Sequence, residues 1–190
     1  MRRKRKRYVK CSPQVVAENV LNRDFKTDKP NEKWLADVTE FKIMDGTKVY
    51  LSAILNLGDN SIVSYVVATS NNNKLVFDTW ELAVTSNPKA KSLFHSDRGF
   101  QYTHKDFKAR LDKQHAIQSM SRVGRCIDNG PMEGFWGILK SEMYYLNKFN
   151  SFEELKIAID DYIKFYNEVR IQKKLNGLAP LEYRSQAMVT

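Results

Sequence analysis

The chain has 190 residues, the size of one domain with a short appendage. Its 31 Lys and Arg outnumber 22 Asp and Glu, leaving a net charge of +9, and hydrophobic residues make up 42%. That composition excludes a disordered chain and a disulfide-stapled miniprotein, and the lack of any 18-residue apolar run excludes a membrane-spanning helix.

Residues 1–10 carry seven cations and no acid. Such a run reads equally as a solvated arm and as a nonspecific nucleic-acid contact. No apolar segment follows it, so it is not a secretory signal. The two cysteines, Cys11 and Cys126, match no metal or redox spacing. An intracellular protein with a polyanionic partner is expected. Residues 15–21 hold an apolar cluster (Val15, Val16, Ala17, Val20, Leu21) in a helix-like pattern, and Pro30 and Asn31 end the segment. Residues 1–31 therefore read as a basic leader, and 32–190 as the main domain.

Three strands come next, over 34–43, 48–56 and 62–69. Met44-Asp45-Gly46-Thr47, with its Asp-Gly hairpin signal, and Gly58-Asp59-Asn60 join them. Connections this short make an antiparallel meander. After Asn71-Asn72-Asn73, residues 74–86 read as a helix carrying Leu75, Phe77, Leu82 and Ala83. A short strand over 92–95, a polar loop, a helix over 105–114 and a last strand over 116–120 follow. Residues 121–129 have no apolar period and read as a loop. Residues 130–146 are predicted helical. Residues 151–169 form an amphipathic helix, with Phe152, Leu155, Ile159, Tyr162 and Tyr166 at steps of three and four. Ser151 and Glu154 form a capping box at its start. The tail, which contains Pro180, reads as a packed extension. Three hairpin strands followed by alternating helices and strands predict an α/β domain with a mixed sheet.

Three acids stand out against this pattern. Asp37 falls mid-strand among apolar neighbours, where Asp is disfavoured and a buried carboxylate is costly. Alone it would be an edge-strand residue in water. Asp97 ends the fourth strand, over the face where α/β sheets bind ligands. Glu133 lies about one turn into a helix, where a lone acid merely complements the helix dipole. Together the three suggest a site for Mg²⁺ or Mn²⁺. Two such ions roughly 3.5–4 Å apart activate an attacking oxygen and stabilise a leaving oxygen in phosphodiester displacement. These ions prefer oxygen ligands and keep several waters, so three carboxylates suffice.

The words around these acids are more specific. Asp37 sits in Trp34-x-x-Asp37-x-Thr39, and 35 residues separate Asp97 from Glu133. His95-Ser96-Asp97-Arg98-Gly99-Phe100-Gln101-Tyr102, Asp128-Asn129-Gly130-Pro131-Met132-Glu133, Tyr166-Asn167-Glu168-Val169-Arg170 and Leu175-Asn176-Gly177-Leu178-Ala179-Pro180-Leu181 occur in order. The pattern resembles bacterial insertion-sequence transposases of the OrfB type, within the retroviral-integrase superfamily, over about residues 12–186. That resemblance implies an RNase H-like fold: a mixed five-stranded sheet, three strands antiparallel and then two parallel, flanked by helices. It implies an integrase catalytic core over 32–190 with a C-terminal helical extension, and a leader that is the remnant of an upstream DNA-binding region. It further implies Mg²⁺- or Mn²⁺-dependent strand cleavage and strand transfer, with Asp37, Asp97 and Glu133 as catalytic metal ligands for two ions. Element ends and target DNA, a homo-oligomer on DNA and an upstream-frame helix-turn-helix partner are the implied partners. The implied location is the bacterial cytoplasm, at the nucleoid.

Other residues are open to two readings. Lys140 is seven residues after Glu133 and shares its helix face, either as a phosphate contact or as a solvated Lys. The stretch 88–126 carries nine bases against three acids. Within it Arg98, Arg122 and Arg125 flank the acids and suit DNA phosphates, or simply water. His95 and His104 lack zinc spacing and read as packing or loop residues. Asn129 most simply caps the helix, Asp128 supports or caps it, and Phe135, Trp136, Tyr144 and Tyr145 read as core aromatics. An RNase H-like nuclease and a truncated DNA-binding fragment without transposition activity are the alternatives.

Overall fold

A computed structural model describes residues 15–27 and 29–187. The basic run 1–10 and Cys11 lie outside the described residues. Strands β1 (Lys33–Lys42), β2 (Lys48–Asn56) and β3 (Ile62–Ala68) form the antiparallel meander. The Asp-Gly turn between the first two places Gly46 at φ +84, a left-handed backbone that glycine adopts without strain. Strands β4 (Leu93–Ser96) and β5 (Ile117–Met120) add in parallel beside β1, giving the order β3-β2-β1-β4-β5. This is the five-stranded mixed sheet that the sequence implied.

Helices cover both faces because side chains alternate along each strand. Trp34, Ala36 and Ile54 point to one side and pack on α1 (Asn73–Ser86) and α2 (Lys105–Lys113), with Trp80, Phe94, Phe107 and Leu111. Leu35, Phe41, Leu51 and Leu55 point to the other. They meet Met132, Phe135 and Leu139 of α3 (Gly130–Leu139) and Leu155, Ile159 and Ile163 of α4 (Phe152–Glu168). Asp37 shares the parity of Leu35 and Phe41, so its position belongs to the α3 face of β1. Helix α5 (Pro180–Ala187) closes the chain, and Arg184 pairs with the buried Asp59 of the β2–β3 turn at 2.5 Å.

Three local predictions change. Residues 15–20 are not a helix. They run as a strap against the edge strand β5: Met120 N–H donates to Glu18 O at 3.1 Å, and Leu21 N–H to Ser119 Oγ at 3.0 Å. Bonding to the open sheet edge displaces the local helical pattern, and Leu21 joins the core. The predicted helix over 130–146 stays α-helical only to Leu139, and Lys140–Tyr144 widens into a π turn. That turn serves two anchors. Tyr144 Oη accepts from Lys42 N–H at 3.0 Å and donates to Lys42 O at 2.6 Å, while Glu142 takes a fork of hydrogen bonds from Arg170 and one from Tyr162. The loop over 121–129 ends in a 3-10 turn, Cys126–Asn129, leading into α3.

Candidate active site

Asp37, Asp97 and Glu133 come together around one open cleft of about 600 Å³, with Arg98, Arg122, Arg125 and Asn129 also in its wall. The acids come from three separate elements. Asp37 projects from the middle of β1, Asp97 follows the last residue of β4, and Glu133 is in the first turn of α3. The parallel pairing of β1 and β4 at their starts, Lys33 to Leu93, sends both chains toward the same end of the sheet. That is why the second acid, at the C-terminal end of its strand, opens onto the cleft.

The environments of the three differ. Asp97 and Glu133 are exposed, whereas Asp37 is largely covered. Burial pushes the Asp37 carboxyl up to about 6, and the negative charges of Asp97 and Glu133 add to that rise. Hydrogen bonds from Val38 N–H and from Trp136 act against it. Trp136 Nε1 donates to Asp37 Oδ2 at 3.0 Å. Asp97 Oδ1 accepts from Gly99 N–H at 2.8 Å. A Cβ at position 99 would lie 2.9 Å from that same oxygen, so any larger residue there would push the Asp97 carboxylate aside.

The donor set suits a hard divalent cation: three carboxylates, one of them raised by burial and further by the charges of the other two. Among the described residues, however, no three His, Cys, Asp or Glu side chains are placed closely enough to ligate a single ion. Mg²⁺ is commonly held by one or two carboxylates and its own waters, so acids spread around a cleft still fit it.

The cations sort differently from their sequence reading. Arg122 binds Asp128, with Nε at 2.9 Å and Nη2 at 2.8 Å, and its backbone N–H donates to the same carboxylate at 3.0 Å. Arg23 Nε at 2.7 Å and Asn19 Nδ2 at 3.0 Å complete the set. Asp128 is fully buried, and these donors hold its carboxyl far below the usual carboxylate range. Asp128 is therefore a clasp between the strap and the cleft loop, not a helix cap. Arg122 thus has a structural partner as well as a place in the cleft wall. Arg98 Nε donates to Ser121 O at 2.9 Å, tying the ends of β4 and β5 at the cleft that Arg98 lines. Lys140 is outside the cleft wall. Its Nζ lies 5.4 Å from the Phe41 ring centroid, and burial lowers its pKa while Asp37 and Glu40 resist that.

His95 is fully buried, bonded to Ser119 Oγ at 2.9 Å and Ser121 Oγ at 3.1 Å, and burial brings its pKa down to about 4. It is a neutral packing residue. His104 caps α2, accepting from Asp106 N–H at 3.2 Å. Asn129 makes no capping bond. Its Nδ2 donates to Ala36 O at 3.2 Å, beside Asp37. The role that sequence reasoning missed is that of Trp136, read first as a core aromatic and second as a base-stacking candidate, which is in the core and also donates to Asp37. Its apolar neighbours give no sign of the Asp37 contact.

Two models described as integrase core domains match, one over residues 27–126 and the other over residues 133–188. The transposase InsK of insertion sequence IS150 from Escherichia coli is 46% identical over 173 residues, covering 90% of this chain and 60% of that protein. A transposase-like protein of Haemophilus influenzae is 44% identical over 173 residues, covering 91% and 80%. The chain thus spans less than two thirds of the length of InsK. Among solved structures, the catalytic core domain of HTLV-2 integrase in complex with magnesium superposes with a TM-score of 0.66 at 19% identity, over 82% of this chain and 97% of that one. A chain of the simian T-cell lymphotropic virus intasome superposes at 0.71 with 16% identity, over 90% and 58%. At such identities the structural likeness establishes the fold, which is RNase H-like.

Proposed function

Because this chain belongs to the integrase core family of bacterial insertion-sequence transposases, we propose that it is a catalytic domain that cuts and joins DNA strands at mobile-element ends. The observation that carries the reading is the single cleft shared by Asp37, Asp97 and Glu133, walled by arginines. These three acids would hold Mg²⁺ or Mn²⁺, two ions in the full reaction. The ions, when bound, would activate the attacking oxygen and stabilise the leaving oxygen of an in-line displacement.

The protein's own part is to bind, orient and exclude. Asp37 on β1 and Glu133 on α3 line the same cleft, so the scissile phosphate would lie against two rigid elements. Arg98 and Arg125 at the rim would contact flanking phosphates, which position DNA without reading its sequence. Lys140, beyond Glu133 on the same helix, would contact a phosphate further along the strand. In the first step water attacks phosphorus, the bond from phosphorus to the 3′-oxygen breaks, and that oxygen leaves as a 3′-hydroxyl. In the second, this hydroxyl attacks a target phosphodiester and the target strand breaks. An oligomer assembled on DNA, an upstream helix-turn-helix region that recognises the ends, and location at the nucleoid complete the reading. InsK has further length into which such a region would fit.

Asp97→Asn tests this directly. In Mg²⁺, DNA carrying element ends should be cleaved by the wild-type protein and at least about 10³-fold more slowly by the variant. Asp37→Asn and Glu133→Gln should behave alike. Full cleavage by Asp97→Asn would refute the assignment, and efficient cutting of RNA–DNA hybrids without element ends would favour an RNase H-like nuclease.

A further inference from the structure

We propose that Trp136 is a positioning residue for the metal-binding carboxylate Asp37: its indole N–H fixes which carboxylate oxygen faces the cleft and at what spacing from Glu133. The inference rests on the reading of Asp37 as a metal ligand.

Trp136 Nε1 donates to Asp37 Oδ2 at 3.0 Å. The indole follows Glu133 by three residues on α3, so donor and second acid are neighbours on one helix surface. A single hydrogen bond therefore links the strand that bears Asp37 to the helix turn that bears Glu133. Asn129 supplies a parallel link, through Nδ2 to Ala36 O at 3.2 Å. It ends the 3-10 turn that leads directly into α3. The start of α3 and its first two turns are thus tied to β1 at two consecutive residues, 36 and 37.

The indole is well suited to the task. It is 6% exposed within the core under α3 and its ring centroid is 5.1 Å from that of Phe135, so packing restrains its two side-chain torsions. A carboxylate free to rotate about its last bond presents either oxygen. With Oδ2 held by Trp136, that rotation stops, which sets how the carboxylate is presented to the cleft. Partners that orient a metal's ligands in this way typically contribute 10–100-fold to metal affinity or activity. Trp34, by contrast, donates to Asn31 Oδ1 at 3.1 Å, and Trp34 and Trp80 pack on the opposite face of the sheet.

The test is a Mn²⁺ titration by calorimetry of wild type, Asp37→Asn and Trp136→Phe, with Mg²⁺ dependence of cleavage alongside. The phenyl ring retains most of the packing and lacks the N–H. Expected is a Mn²⁺ dissociation constant, and a half-saturating Mg²⁺ concentration, about tenfold higher in Trp136→Phe. Its maximal rate at saturating metal should stay within about threefold of wild type, a split that general destabilisation would not produce. If Asp37→Asn loses binding while Trp136→Phe binds within twofold of wild type, the positioning role is overturned and the ligand reading stands. If Asp37→Asn binds like wild type, the ligand reading falls and this inference with it. Should Trp136→Phe fail to fold, the indole ¹⁵N–¹H resonances of the wild-type protein decide: Mg²⁺ must shift that of Trp136 and leave Trp34 and Trp80 in place. An unmoved Trp136 resonance overturns the proposal.

Discussion

Neutralising Asp37 should make the metal-free protein more stable while abolishing its chemistry. Burial, with Asp97 and Glu133 nearby, raises this carboxyl to about 6, against an ordinary value near 3.9 in an unfolded chain. Between those values the folded state binds the extra proton, so wild-type stability falls as pH rises through the window and the full cost is present above it. At about 1.4 kcal/mol per pK unit the cost is about 3 kcal/mol. Asparagine removes it. The amide has one acceptor oxygen where the carboxylate has two, so one of the hydrogen bonds from Trp136 and Val38 N–H is lost, at about 1 kcal/mol. The net gain is about 2 kcal/mol, or an increase in Tm of about 4–8 °C for a chain of this size. Thermal melts of wild type and Asp37→Asn in EDTA at pH 8 would measure it. The gap should close as pH falls to about 4, and Mg²⁺ should raise the wild-type Tm more than the variant's. A variant melting at or below wild type at pH 8 without metal would refute the reasoning.

The Asp128 clasp should act with the opposite sign. Its donors hold the carboxyl far below the usual range, so its contribution is complete above the unfolded value near 3.9 and is lost as pH falls below that. His95, the other titratable group facing it, stays neutral until about pH 4. Asp128→Asn should cost about 3 kcal/mol at pH 7, read by denaturant titration, with the difference from wild type narrowing below about pH 4; equal stability at pH 7 would contradict the clasp. Arginines at the cleft should separate by partner. Arg125→Ala should lower the salt slope of DNA binding by about 1, whereas Arg122→Ala should leave the slope nearly unchanged and lower stability instead. Equal slopes for both variants and wild type would remove Arg125 from the DNA track.

Much of the fold was legible in the chain. The two-residue period of β1 to β3 and the short turns between them encode a meander, and the three-and-four spacing of α4 encodes its buried stripe. The acids were legible too, because a carboxylate inside an apolar strand or at a strand end contradicts its surroundings. The strap over 15–20 was not. Its helical pattern is local, and the open edge of β5 that overrides it comes from residues about a hundred positions away. The π turn at Lys140 likewise answers to Lys42 and Arg170, which no window around Lys140 contains.

What the sequence determined by itself is therefore most of the strands and helices, the family resemblance and the three anomalous acids that the fold brings to one cleft, since these depend on periodicity and on chemically anomalous residues within short reach. Only the tertiary structure decided how each polar group is spent. Arg122 and Asn129 looked like a DNA contact and a helix cap, and became the partners of Asp128 and of the Ala36 carbonyl. Trp136 looked like core and became the donor to Asp37, 99 residues away. A buried charge takes whichever donors the packed elements bring to it, because leaving it unpaired costs several kcal/mol. That pairing is settled by how β1, α3 and the strap fit together, and the composition of no single segment carries it.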